Sequence, residues 1–155
     1  MAIEHIIELS TCATMVVLLL IFVPKNKIRE STVIFLFKQF MTWPLGLYVV
    51  HKNWIEYPSR LFFQNSSGAS FTFEYLLYPA LCVLFVLYYP SYKKWIIKFL
   101  YFITYCSAIT FIEALLEIYT NTVQYNEWTW YWTWLSLLVT FFISLKFYSW
   151  FFKIR

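Results

Sequence analysis

The chain alternates long apolar runs with short polar breaks, and five of the runs approach the roughly 20 residues that a helix needs to cross a bilayer. The first covers roughly 4–23 and ends in MVVLLLIFV before Pro24. The second covers roughly 32–50 and is interrupted by Lys38, Gln39 and Pro44. The third covers roughly 71–89 and is stopped by Pro90; the fourth covers roughly 95–119. The fifth, roughly 128–152, opens on the stretch EWTWYWTWL. The alternation of tryptophan at 128, 130, 132 and 134 has the period of a strand, but the apolar run behind it is too long for one. A lone strand would also leave its backbone groups unsatisfied in lipid. The pattern therefore predicts an all-α, polytopic integral membrane protein, a bundle of five transmembrane helices forming one domain over 1–155.

Composition agrees with that pattern. The chain is 61% hydrophobic, 25% aromatic and 13% charged. A soluble domain of this length carries roughly twice that charged fraction. Its net charge of +4 comes from basic residues scattered among apolar ones, whereas a nucleic-acid reader gathers them on one wet face. The expected partners are the lipid bilayer and either another membrane protein or a second copy of the chain, with no nucleic acid. The N-terminus lacks the basic start of a secretory signal, so the first span is expected to stay in the mature protein.

The basic residues also orient the spans. With the N-terminus outside, ten of the twelve, among them Lys25, Lys27, Arg29, Lys93, Lys94, Lys153 and Arg155, fall inside or toward the inner ends, with Lys38 placed to snorkel. Only Lys52 and Arg60 fall outside, which is the positive-inside bias. This predicts a cell-membrane protein with its N-terminus outside and its C-terminus cytoplasmic. Glu4, Glu8, Glu56, Glu74, Glu113, Glu117 and Glu127 lie toward the outer side and only Glu30 inside. The connector 51–70 mixes charge with Trp54, Phe62 and Phe63 and is expected to lie along the interface.

Wheels drawn at about 100° per residue place Glu113 and Glu117 on one face of the fourth span, Glu113 the deeper. They place Glu74 and Tyr78 together on the third span, and Lys38, Thr42 and Gly46 in a stripe on the second. Charged groups at membrane depth are costly and often functional. Two readings follow. In one, Glu113, Glu117, Glu74 and Glu8 line an outward-opening polar cavity that binds a proton, a cation or an amine. In the other, Glu113 is held by a Tyr or Thr of a neighbouring helix and the rest sit among headgroups.

On the fifth span the four tryptophans, Trp128, Trp130, Trp132 and Trp134, spread around the axis as an interfacial anchor. Thr129, Thr133, Ser136, Thr140 and Ser144 fall within about 80–160° of the wheel, a stripe suited to close helix packing. Pro44 and Pro79 interrupt their spans and can kink them. Catalytic chemistry is not expected: GxSxG, HExxH and a glycine-rich phosphate loop are all missing, and the chain has no aspartate and two glycines. The three cysteines lie far apart in apolar runs, so neither a metal site nor a cofactor is expected.

The motifs WIEYPSRLFF, FEYLLYPALCVLFVLYYP, the internal Glu113 and YNEWTWYWTWLS together span about two thirds of the chain. They resemble a family of small multi-pass membrane proteins from endospore-forming Bacilli and Clostridia whose biochemical role is uncharacterised. The matching positions are Tyr57, Pro58, Tyr78, Pro79, Tyr89, Pro90, Glu113, Tyr125 and Trp128; Glu127 stands where that family often has glycine. The resemblance implies a Gram-positive membrane, where the Asn65-Ser66-Ser67 sequon would go unused. Two functional classes stay open: a structural or accessory membrane component, and a small channel, carrier or proton- or cation-responsive protein that uses the outer carboxylates.

Overall fold

The computed structural model describes residues 2–63 and 68–153, so the Asn65 sequon and Arg155 lie outside the described residues. The fold is all-helical. Helix α1 is Ala2–Phe22, and a short 3-10 turn, Lys25–Lys27, leads into α2, Ile28–His51. A seven-residue π-helix, Phe71–Leu77, runs directly into α3, Tyr78–Leu87. Helix α4 is Trp95–Tyr119 and α5 is Trp130–Phe151. Two short strands, β1 (Ile55–Glu56) and β2 (Gln124–Tyr125), pair antiparallel, Ile55 opposite Tyr125.

Four segments are long and apolar enough to cross a membrane: Ile3–Phe22, Lys25–His51, Trp95–Tyr119 and Trp130–Phe151. The third expected span, Phe71–Leu87, is apolar but shorter. Tyr78, Pro79, Ala80, Cys82, Val83, Phe85 and Val86 of α3 are all buried. A helix that is apolar all round belongs inside other helices, and α3 is packed by α1, α2 and α5. Helix α4 reaches α3 through long side chains: Tyr101 and Tyr105 donate to the carbonyls of Phe85 and Leu81 at 3.2 and 2.9 Å. Phe85 is the hub, stacked on Phe141 with ring centroids 5.0 Å apart and set edge-on to Phe102 at 4.9 Å.

The outward faces carry large apolar side chains such as Leu20, Phe40, Phe111, Ile118 and Trp150. An aqueous surface rarely tolerates contiguous apolar patches of that kind, so the exterior matches a membrane setting.

The connectors tie together the end of the fold that holds the N-terminus. The 51–70 loop contains no helix among its described residues beyond His51. It buries Ile55, Tyr57 and Ser59. The Trp54 carbonyl accepts from the backbone N–H groups of Asn126 and Trp128 at 3.0 and 3.2 Å. Trp54 and Trp128 stack, with centroids 6.1 Å apart. At the opposite end Tyr88 donates to the Phe22 carbonyl at 2.8 Å, Tyr148 donates to Glu30, and Lys27 pairs with Glu30 at 2.7 Å.

Candidate functional site

The π-helix and Pro79 set up the site. Proline has no N–H, so it leaves carbonyls unsatisfied in the turn before it. Those carbonyls belong to Glu74 and Tyr75, and α2 satisfies both. Thr42 Oγ1 lies 2.8 Å from the Glu74 carbonyl and 2.9 Å from the Lys38 carbonyl, with one hydrogen between them. Gln39 Nε2 donates to the Tyr75 carbonyl at 2.8 Å. The polar stripe on α2 therefore docks a broken helix. Pro44, in contrast, is exposed and α2 runs through it.

Glu74 and Tyr78, four residues apart, both line the same cavity but bond to different partners. Tyr78 donates its hydroxyl to Glu113 Oε2. Glu74 Oε1 accepts from Tyr57 at 3.1 Å. Gly46 makes room for Glu74: a Cβ on residue 46 would stand 2.8 Å from both Cγ and Cδ of that side chain.

Glu113 is 8% exposed and accepts three hydroxyl hydrogen bonds. Besides Tyr78, Tyr125 donates to Oε1 at 2.5 Å and Thr133 to the same oxygen at 2.9 Å. Thr133 in turn accepts from Trp128 Nε1 at 2.8 Å. Burial pushes the Tyr125 phenol up, and the neighbouring Glu113 carboxylate adds to that shift. Burial, then the Glu74 and Glu113 charges, hold the Tyr57 phenol well above the usual tyrosine range. Both phenols therefore stay protonated donors at neutral pH.

Below this level lies Lys38. It is wholly buried, and its ammonium, expected to snorkel outward, turns into the bundle instead; it donates to Thr140 Oγ1 at 2.5 Å and lies 4.3 Å over the Phe141 ring. The α5 hydroxyls explain that orientation. Thr140 spends its hydrogen on the Ser136 carbonyl at 2.7 Å, so its oxygen faces Lys38 as an acceptor. Ser136 and Ser144 donate to the carbonyls of Thr133 and Thr140, each at 2.8 Å.

Glu74 and Glu113 line one cavity of about 120 Å³, together with Thr42, Gly46, Tyr57, Tyr78, Trp128, Thr133, Ser136 and Thr140 and a set of aliphatic residues. Glu8 and Glu117 do not line it. Glu8 is buried elsewhere and accepts the Leu61 N–H at 2.6 Å, pinning the 51–70 loop. Glu117 is half-buried and makes no hydrogen bond among the described residues. Tyr78 and Glu113 also border a second cavity of about 390 Å³ between α1 and α4, lined mainly by aliphatic residues with Ser10, Thr11 and Thr14.

Thr133, Thr140 and Ser144 are buried and Ser136 half-buried, whereas Thr129 precedes α5 in extended backbone (φ −147°, ψ 158°). Of the tryptophans, Trp130 and Trp132 are exposed. Trp128 precedes the helix, and Trp134 donates to Ser107 Oγ at 3.0 Å. Among the described residues, no group of three or more His, Cys, Asp or Glu side chains converges to hold a metal ion. Comparison with family models, with curated proteins and with solved structures finds no match for this chain.

Proposed function

We propose that this is a five-span protein of a bacterial cell membrane, N-terminus outside and C-terminus cytoplasmic, that responds to protons or cations through Glu74 and Glu113. One observation carries the reading: the two carboxylates share a cavity, and a wholly buried lysine is held by a hydroxyl of the same cavity wall. Ionisable groups at membrane depth pair with one another or mark ion and proton routes. The 17–25-residue range of spanning helices admits a segment as short as Phe71–Leu87. The basic residues at the end opposite the N-terminus support the orientation. Five of the residues that carry the family resemblance, Tyr57, Tyr78, Glu113, Tyr125 and Trp128, meet at this cavity, which supports a shared role for them.

The hydroxyl cage around Glu113 favours a second reading, a structural or accessory membrane component in which Glu113 is a fixed acceptor. Neither reading invokes catalysis.

The test is the melting midpoint of the purified protein from about pH 5 to about pH 9, with and without added cations. In the first reading Glu74→Gln and Glu113→Gln flatten the response and Glu117→Gln does not. Identical responses in all four proteins select the second reading. Orientation is checked with a membrane-impermeant thiol reagent: Asn126→Cys labels on intact cells and Ser91→Cys only after permeabilisation, and the reverse pattern inverts the topology.

A further inference from the structure

The 120 Å³ cavity has a charge balance and a wall chemistry that narrow what it accepts. Glu74 and Glu113 of the wall, with Lys38 bonded to the Thr140 hydroxyl of that wall, together carry one excess negative charge when all are ionised. A buried site of that kind is completed by one monovalent cation, since an uncompensated charge is expensive away from water.

The oxygens decide which kind of cation. Both oxygens of Glu113 are occupied by hydroxyl donors. Glu74 Oε1 holds Tyr57, and Glu74 Oε2 has no hydrogen-bond donor among the described residues. Among the described residues only one carboxylate oxygen of the wall is free of a hydrogen-bond donor, and the hydroxyls around it already donate to carboxylate or carbonyl acceptors, whereas a hard divalent ion collects six or more oxygens. The rest of the wall is aliphatic and aromatic, including Leu45, Val49, Leu137 and Trp128. Such a wall suits carbon atoms, and an aromatic face adds attraction for a cation. An engineered cavity of about 150 Å³ admits benzene, so 120 Å³ suits an ammonium group on about three to five carbons.

We propose that the Glu74–Glu113 cavity binds a single short-chain organic monoammonium ion, its N–H groups on Glu74 Oε2 and its carbon chain against the aliphatic wall. This rests on reading the cavity as a cation site and names its ligand class. A metal cation lacks the apolar body, and a diammonium brings a second charge with no carboxylate oxygen left to meet it.

The experiment follows the melting midpoint of the full-length protein in detergent against n-propylammonium, sodium, butane-1,4-diammonium and tetrapropylammonium chlorides at matched ionic strength. A saturable rise with n-propylammonium alone is expected. In Glu74→Gln the apparent affinity falls about ten-fold or more, the value of one lost charge-assisted hydrogen bond; in Glu117→Gln it is unchanged. Should Glu74→Gln fail to fold, the wild-type series still decides, because tetrapropylammonium has the charge but not the size. An equal rise with sodium, with the diammonium or with tetrapropylammonium overturns the proposal, as does no rise with n-propylammonium. A wild-type midpoint that depends on pH but ignores n-propylammonium removes this proposal and leaves the proton-responsive reading standing.

Discussion

Gly46 of α2 faces the Glu74 side chain so closely that a Cβ there would stand 2.8 Å from its Cγ and Cδ. The glycine is the space in which the carboxylate sits. Gly46→Ala should therefore destabilise the protein by about 1–3 kcal/mol, the usual cost of overpacking. In a Glu74→Ala background that cost should largely vanish. A double-mutant cycle on melting midpoints checks it; additive effects would mean that the two residues do not meet.

Gln39 and Pro79 should be coupled in the same way. Gln39→Leu leaves the Tyr75 carbonyl without its donor, a loss of about 1–3 kcal/mol. Pro79→Ala restores a backbone N–H in the turn that lacks one, so Gln39→Leu should cost less in that background. Chemical denaturation of the single and double variants measures the difference.

The α5 hydroxyls should outweigh its exposed Trp130. Thr140→Leu strips Lys38 of its only acceptor among the described residues, and Thr133→Leu removes one donor from Glu113. Each should cost about 1.5–3 kcal/mol, the range for hydrogen bonds to charged groups. Trp130→Leu, at a residue 59% exposed, should change stability by about 0.5 kcal/mol or less in detergent. Thr140→Ser keeps the oxygen and should behave nearly as wild type.

Much of this was legible in the chain. Apolar run length located the helices, and depth singled out Glu113. The stripe of Lys38, Thr42 and Gly46 was visible on a wheel, but its purpose was not. A wheel assumes α geometry throughout, and the π-helix Phe71–Leu77 breaks that assumption. Glu74 and Tyr78 still line one cavity, and which partners they reach there, Tyr57 and Glu113, is set by neighbouring segments that a wheel does not include. The hydropathy of Lys38 suited snorkelling equally well, because hydropathy does not say which way a side chain points. The Ile55–Tyr125 pairing joins loops far apart in sequence, and two-residue strands leave no periodic trace. Trp128 and Thr129 read as helix because the apolar run begins there, yet the fold holds Trp128 in the connector through the Trp54 carbonyl.

Alkaline pH should weaken the Tyr57 end of the site. Its phenol titrates higher in the fold than in the unfolded chain, because burial and the nearby carboxylates disfavour the phenolate. A group raised in this way contributes stability below its unfolded value, near pH 10, and loses it as pH climbs through the folded one. Wild type should therefore lose stability on the alkaline side of about pH 10, and Tyr57→Phe should lose less. Equal slopes for the two proteins would deny Tyr57 that role.

The claim that the protein responds to protons through Glu74 and Glu113 is tested most directly by infrared difference spectroscopy of the reconstituted protein as pH is changed. The account predicts a protonated-carboxyl band in wild type that grows on acidification, persists in Glu117→Gln, and is lost in the Glu74→Gln, Glu113→Gln double variant. A wild-type spectrum indistinguishable from that of the double variant would contradict it.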